Sequence, residues 1–157
     1  MSFIDRYKSP ADLPKHLPVF PLPGALLLPR ADLPLNIFEP RYLQMISDVL
    51  AGERLIGMIQ PVEEAADLMA RPKLCSVGCA GRITSYAETA DSRILITLTG
   101  ICRFRVVSEL VTVTPYRSVQ ADYDAFAGDL IAENGQERVD RAALLKAFRD
   151  YLDANDL

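Results

Sequence analysis

Three cysteines and one histidine are the residues of this chain best suited to metal binding or nucleophilic chemistry. On an extended strand, the Cα atoms of Cys75 and Cys79 would lie about 13 Å apart. A disulfide needs Cα atoms closer than about 7 Å, so this pair cannot bridge without a sharp bend. Zinc would need more ligands, and the only histidine is His16. We therefore expect Cys75, Cys79 and Cys102 to be reduced thiols that pack as small apolar side chains, and we expect no metal site.

The remaining side chains form no recognisable catalytic motif. No lysine follows a glycine-rich loop, which excludes nucleotide hydrolysis of the P-loop type; the lysines are Lys8, Lys15, Lys73 and Lys146. No serine lies in a nucleophile-elbow pattern. The carboxylate pairs Glu63–Glu64 and Asp122–Asp124 are more typical of solvated loops than of acid–base catalysis. The sequence thus predicts no catalytic residue and no cofactor.

The segment Phe38-Glu39-Pro40-Arg41-Tyr42 is the best candidate for a binding site. In a functional interpretation, Phe38 and Tyr42 lie beside a groove. Glu39 and Arg41 then supply polar contacts to a ligand. In a structural interpretation, Phe38 and Tyr42 belong to the core and Glu39 is favoured near the positive end of a helix. Arg41 would then brace a neighbouring carbonyl or carboxylate. The residue types favour the structural interpretation, and the functional one stays open.

An extended region and a helix must position this segment. Six prolines lie between Leu17 and Tyr42, and a strand with so many prolines is an edge strand or a broken one. Its large apolar residues predict a kinked segment that wraps a barrel. A helix then begins at Pro40 and ends near Gly52, because apolar residues recur with helical spacing at Tyr42, Met45, Ile46, Val49 and Leu50.

The middle of the chain reads as β structure. Residues 55–62 and 74–88 are strand candidates, and residues 63–72 read as a loop or a helical turn. The clearest strand is 94–107, where alternate residues stay apolar over a length that a compact chain cannot hold straight. We expect it to bend at Gly100, as long strands of small barrels do. Further alternating segments are residues 110–113 and 116–123.

The composition changes after Asp124, and this change suggests a division of the chain. We expect a polar lead-in at residues 1–16, a β domain at 17–124, and at 125–157 a linker with the start of a helical region. A second amphipathic helix is marked by Leu144, Leu145, Phe148, Tyr151 and Leu152. Either it packs back on the barrel, or its partner helices lie beyond Leu157.

Charge and length exclude several function classes. The 157-residue chain has a net charge of −4, which disfavours non-specific nucleic-acid binding. Arg93, Arg103 and Arg105 would make a local basic patch only if strand pairing brought them together; a solvated strand face is the expected alternative. The N-terminus lacks a secretory signal, and the apolar window at 17–29 is too short to span a bilayer. We expect a cytosolic protein without membrane contact.

Five blocks of sequence, in order, resemble the amino-terminal domain of Lon protease in its stand-alone bacterial form. They are LPVFPLPGALLLP (17–29), LPLNIFEPRYLQMISD (33–48), LIGMIQP (55–61), VGCAGRITSYAETADSRILITLTGICRFRV (77–106) and PYRSVQADY (115–123). Asn36 stands where stand-alone members usually have histidine. The resemblance implies a mainly β, α+β fold: a PUA-like pseudo-barrel of about six strands, one helix after the first extended segment, and a C-terminal helix.

The resemblance also implies a substrate-binding module without the ATPase and peptidase domains of Lon. The expected partner is an unfolded protein or a peptide segment, with a protease or a chaperone as a second candidate partner. The candidate peptide-binding residues are Phe38, Glu39, Arg41 and Tyr42. An RNA-binding module is the alternative, by fold analogy alone. An enzyme with an unrecognised site is a third, weaker hypothesis.

Overall fold

The computed structural model describes residues 2–62 and 71–157, and within them the chain forms two α-helices and six β-strands. In chain order these are β1 (His16–Pro21), β2 (Asp32–Ile37), α1 (Pro40–Ala51), β3 (Leu55–Ile59), β4 (Val77–Glu88), β5 (Ile94–Glu109), β6 (Ser118–Asp122) and α2 (Arg141–Ala154). Short 3₁₀ helices precede β1 and follow β6. The Glu63–Glu64 pair and most of the predicted loop at 63–72 lie outside the described residues.

The six strands form one sheet that closes on itself, which confirms the predicted α+β pseudo-barrel. The strand order is β2-β5-β4-β3-β1-β6, and a further pairing of β5 with β6 closes the ring. β1 and β3 run parallel, whereas the other pairs are antiparallel. β2 stands outside the ring at the end of the strand order, where it pairs with the first part of β5.

β5 pairs with β2 along its first part and with β6 along its last part. Its residues up to Thr99 pair with β2, and its residues from Arg105 onward pair with β6. Between these parts the register with β4 shifts, so that Ile101 is an extra residue next to Gly100. Such a bulge bends a strand and increases its twist. The predicted bend at Gly100 is confirmed.

Gly100 also lets a second stretch of backbone cross β5 closely. Its N–H donates to the carbonyl of Ala31 at 2.9 Å, and its carbonyl accepts from the N–H of Arg30 at 2.8 Å. A Cβ atom at this position would collide with the carbonyl oxygen of Leu28. The glycine therefore docks the segment that leads into β2.

The prolines of the first extended region lie where the sheet tolerates them. In β1, residues His16 to Pro18 pair with β6 and residues Val19 to Pro21 pair with β3. After Pro21 the extended region is broken, and it resumes as β2 at Asp32. Pro34 lies in β2, the outer strand. Both outcomes match the prediction from proline chemistry.

The predicted strand at residues 110–113 is wrong. The ladder between β5 and β6 ends with the N–H of Leu110, which donates to the carbonyl of Ser118 at 2.9 Å. Beyond it, the backbone turns, and the Thr114 hydroxyl donates to the Tyr116 carbonyl at 3.0 Å. The alternating Val and Thr pattern is typical of a strand, but in this loop Val111 and Val113 are fully exposed and no strand pairs with them among the described residues.

Two apolar clusters lie on the two faces of the sheet. The inner cluster fills the ring; its strand members are Leu17, Val19, Leu55, Ile59, Ala80, Ile101, Cys102, Phe104, Val119 and Ala121. The outer cluster packs α1 on the sheet and includes Phe20, Leu27, Ile37, Tyr42, Met45, Ile46, Val49, Ile56, Met58, Cys79, Ile83, Ile96, Leu98 and Tyr116. Alternate residues of β3 divide between the clusters, as strand geometry requires.

The segments that flank the β domain contribute to the inner cluster. Tyr7 and Leu13 from the lead-in and Leu130 from the segment after β6 are buried there. The Tyr123 hydroxyl donates to the Pro14 carbonyl at 2.7 Å and ties the lead-in to the end of the β domain. The division at residues 16 and 124 stays a prediction, and the barrel core extends across both boundaries.

Candidate functional site

The free edge of β2 offers backbone hydrogen-bonding groups to solvent. Because Gly100 donates to Ala31, the antiparallel alternation makes Leu33, Leu35 and Ile37 the residues that exchange hydrogen bonds with β5. The backbone groups of Asp32, Pro34 and Asn36 then point away from β5. Among the described residues, no strand pairs with this side of β2.

A shallow groove of about 420 Å³ runs across β2, β5 and β4 beside this edge. We call it the edge groove; its lining residues are Pro34, Leu35, Asn36, Ser85, Ala87, Leu95, Ile96 and Thr97. Leu95 is its main exposed apolar side chain, with 45% of its surface accessible. Next to it, the Thr99 hydroxyl donates to Asp32 Oδ1 at 2.7 Å and lies 2.9 Å from the Thr84 hydroxyl. The groove therefore has an apolar centre and a polar border.

Phe38 extends this surface just past the end of β2. Its side chain is 58% exposed, so the structural interpretation that placed it in the core is wrong. The guanidinium of Arg93 lies 5.5 Å from the centre of its ring, and the same arginine pairs with Asp91 at 3.0 Å. Phe38 follows Ile37, whose backbone is held by β5, and this fixes where the aromatic ring emerges.

Tyr42, in contrast, belongs to the core as the structural interpretation predicted. It is buried and stacks on Phe20 with the ring centres 4.1 Å apart, and burial raises the pKa of its hydroxyl. The Arg41 guanidinium lies 4.7 Å from the centre of the Tyr42 ring and pairs with Glu39 at 3.0 Å. Of the four predicted site residues, Phe38 presents an apolar surface, and Glu39 with Arg41 forms a half-exposed ion pair beside it.

The three arginines considered for a basic patch do not come together. Arg93 lies ahead of β5, whereas Arg103 and Arg105 lie in its second half and share contact with the Phe126 ring. Arg103 holds Asp129 in a bidentate ion pair at 2.8 and 2.9 Å. Burial raises the pKa of the Asp129 carboxyl and the bonds from Arg103 lower it, with a lowered pKa as the result. The pairing removes much of the positive charge from this face.

Sequence reasoning missed the edge groove, although one signal for it was present. In the sequence, Leu95 alternates with Thr97 and Thr99, and it is the apolar residue at the start of this polar stretch. The contributions of Asn36, Ser85 and Ala87 depend on the strand register, which the sequence does not contain.

Comparison with known proteins assigns the family. Residues 16–155 match the family described as the ATP-dependent protease La (LON) substrate-binding domain. The chain belongs to this family. Lon protease 2 of Sorangium cellulosum is 31% identical over 137 residues, which are 87% of this chain and 16% of that protein. The Lon protease of Flavobacterium johnsoniae is 27% identical over 105 residues, 67% of this chain and 13% of that protein.

Solved structures agree with this assignment. The crystal structure of a Lon N-terminal domain protein from Xanthomonas campestris has a TM-score of 0.56 and 27% identity, and the match covers 69% of this chain and 59% of that one. The N-terminal domain of a Lon protease from the Mycobacterium avium complex shares the fold, with a TM-score of 0.55, 15% identity, and coverage of 69% and 54%.

The chain thus spans between 13% and 16% of the length of the two curated relatives above. Within the described part of the chain, no helix is long and apolar enough to cross a membrane. The same residues contain no cluster of three or more side chains that would suit a metal ion.

Proposed function

We propose that this LON substrate-binding domain is a non-catalytic, cytoplasmic module that binds extended segments of unfolded protein at the free edge of β2. The main observation in support of this proposal is that the edge offers unpaired backbone groups beside an apolar groove and an exposed aromatic ring. The description of the family as a substrate-binding domain supports the same class of ligand. A protease or a chaperone would act on the segment after it is bound.

An added strand is the binding mode that the edge favours. Asp32 and Asn36 each offer an N–H and a carbonyl on the free side, and Pro34 offers a carbonyl only. Backbone hydrogen bonds of this kind give affinity without requiring a particular sequence, which suits a receptor for unfolded chains. The missing N–H of Pro34 shortens the ladder, and this limits unwanted pairing between copies of the domain.

Selectivity for apolar segments would come from the side chains next to the edge. In a strand added to β2, every second side chain faces the edge groove, where Leu95 offers apolar contact. At one end the segment meets Phe38, whose ring has few rotatable bonds and can bury area at low entropic cost. The Glu39–Arg41 pair lies beside Phe38 and provides polar contacts at the rim.

The buried thiols support the non-catalytic part of the proposal. Burial raises the pKa of both Cys79 and Cys102 to about 12, so neither is a thiolate nucleophile near neutral pH. Cys75 is half-buried, and all three cysteines are free.

The test is fluorescence anisotropy with a labelled, permanently unfolded protein, at low and at physiological salt. We expect saturable binding that persists in salt, and we expect Phe38→Ala and Leu95→Lys each to weaken it about ten-fold, the effect of losing roughly 1.4 kcal/mol of contact. Val113→Ala is the matched control, since Val113 is a fully exposed apolar side chain in the loop after β5.

Two outcomes would contradict the proposal. One is equal weakening by Val113→Ala, which would mean that exposed apolar surface acts without a defined site. The other is absence of binding to unfolded protein together with salt-sensitive binding of labelled structured RNA, which would favour the RNA-binding alternative.

A further inference from the structure

A second concave site lies between the lead-in, the end of α1 and β4. It has a volume of about 460 Å³ and shares no lining residue with the edge groove. We call it the arginine cleft; its lining residues are Arg6, Tyr7, Asp12, Gly52, Glu53, Arg54 and Arg82. Three guanidinium groups in one cleft of an acidic protein are unexpected, and none of them was singled out by the sequence.

Arg82 is the most unusual of the three because it is buried. Only 9% of its surface is exposed, and arginine is rarely buried without an anionic partner. One of its nitrogens, Nη1, donates to the Tyr7 hydroxyl at 2.8 Å, and its guanidinium lies 5.2 Å from the centre of the Phe3 ring. Among the described residues, no carboxylate lies within ion-pair distance of Arg82.

Other arginines of the protein show the usual arrangement. Arg117 makes a bidentate pair with Glu109 at 2.7 Å, and Arg103 does the same with Asp129. The partners of Arg82 are a neutral hydroxyl and an aromatic ring, and these position the guanidinium without neutralising its charge. A ligand anion would complete the arrangement that the other two arginines already have.

The charged side chains that line the cleft leave it with a net positive charge, because three arginines outnumber the two carboxylates. Asp12 is occupied, because its carboxylate accepts the N–H groups of Lys8 and Ser9 at 2.9 and 3.0 Å, and these bonds lower its pKa. Glu53 is exposed to solvent. Of the ion pairs formed by the described residues, none includes Arg6 or Arg54.

The backbone holds Arg54 in place beside Arg82. Arg54 adopts a left-handed conformation with φ of 63°, its N–H donates to the Val49 carbonyl at 2.9 Å, and its carbonyl accepts from Ile83 on β4, also at 2.9 Å. The hydrogen bond to Ile83 ties Arg54 to the residue that follows Arg82. The backbones of Arg54 and Arg82 therefore stay next to each other, so both side chains start from the same side of the cleft.

We propose that the arginine cleft binds a phosphate group. Planar guanidinium groups match the oxygens of a phosphate with paired, charge-assisted hydrogen bonds, and a doubly charged ligand suits several arginines better than a single carboxylate does. The site is independent of segment binding at the edge groove, so this domain would have one surface for polypeptide and one for a phosphorylated ligand.

The test is titration of the ¹⁵N-labelled protein with inorganic phosphate, with ionic strength held constant by sodium chloride. We expect saturable amide shifts that include Glu53 and Arg54. Arg54→Asn keeps a residue that tolerates the left-handed backbone and removes the guanidinium, and it should weaken phosphate binding at least about ten-fold. Arg6→Ala should weaken binding less, since Arg6 lies in a short 3₁₀ helix of the lead-in, whereas the Arg54 backbone is hydrogen-bonded to β4.

Arg149→Ala is the control, because Arg149 is an exposed arginine on α2. The proposal is overturned if phosphate causes no more shift than chloride, if Arg149→Ala weakens binding as much as Arg54→Asn does, or if acetate binds as tightly as phosphate. Binding of unfolded protein by Arg54→Asn should stay at the wild-type level, which separates a failure of this site from a failure of the edge groove.

Discussion

Both α-helices have an apolar stripe with helical spacing, but one stripe is buried and the other is exposed. In α1 the buried residues are Tyr42, Met45, Ile46 and Val49. In α2 no residue is buried, and the stripe residues Leu144, Leu145, Phe148 and Tyr151 are between 55% and 61% exposed. Periodicity therefore predicts that a segment is helical, whereas what covers the helix is decided elsewhere in the chain.

Contacts with segments distant in the sequence bury the apolar stripe of α1. Phe20 of β1 stacks on Tyr42, and the hydroxyl of Tyr116, ahead of β6, donates to Asp48 Oδ2 at 2.7 Å. These partners are about 20 and 70 residues away in sequence, as expected for contacts that only the folded barrel creates. For α2 the bonds on its polar side are local, such as Lys146 to Asp150 at 2.7 Å.

The largest expected effect comes from shortening one side chain in each stripe. Ile46→Ala removes a fully buried side chain between α1 and the sheet and should lower the free energy of unfolding by about 3 kcal/mol. Leu145→Ala removes a half-exposed side chain and should change it by less than about 0.5 kcal/mol. Urea unfolding followed by circular dichroism measures both, and similar losses for the two variants would show that α2 is packed in solution.

The same contrast explains what the sequence could predict. Local rules were sufficient for α1, the bend at Gly100 and the proline positions, because each depends on a few neighbouring residues. Residues 110–113 have a strand-like pattern and no partner to pair with. The prediction failed there because strand formation requires a second strand.

For the candidate sites, local sequence patterns predict even less of the structure. Phe38 and Tyr42 are both aromatic and four positions apart, yet one is exposed and the other is buried. Pro40 lies between them and begins the helix, so Phe38 follows the strand direction while Tyr42 follows the helical one. The arginine cleft joins residues separated by up to 76 positions, and nothing in the local sequence around Arg6, Arg54 or Arg82 marks them as neighbours.

A smaller effect on stability should come from removing one tyrosine hydroxyl, either the one bonded to α1 or one on α2. Tyr116→Phe deletes the hydrogen bond to Asp48 and should cost about 1 to 2 kcal/mol of stability, because the acceptor is charged and the tyrosine is buried. Tyr151→Phe alters an exposed residue of α2 and should leave stability unchanged within error. A loss of equal size in both variants would contradict the comparison.

The Tyr116 variant should also change the response to alkaline pH. Burial, and then the bond to Asp48, raise the pKa of Tyr116 to about 12, above the value of about 10 in unfolded chains. The folded state thus holds this proton more tightly, and the resulting stability is complete below pH 10 and is lost as the pH rises towards 12. The stability difference between wild type and Tyr116→Phe should shrink over that range, which urea unfolding at a series of pH values would measure.

The smallest global effect is expected at the helix starts, where the two helices also differ. Asp140 caps α2, its Oδ1 accepting the N–H of Ala143 at 3.0 Å, whereas the side chain of Glu39 makes no such bond at the start of α1. Asp140→Ala should therefore cost α2 about 1 kcal/mol of local stability and speed the exchange of its amides about five-fold, with the melting temperature of the barrel unchanged.

Glu39→Ala should leave amide exchange in α1 unchanged, because Pro40 and the buried stripe fix that helix and an exposed ion pair contributes little. Hydrogen exchange read residue by residue measures both variants. If the barrel melts earlier in Asp140→Ala, α2 contributes to the cooperative core and the contrast between the helices is smaller than their exposure indicates.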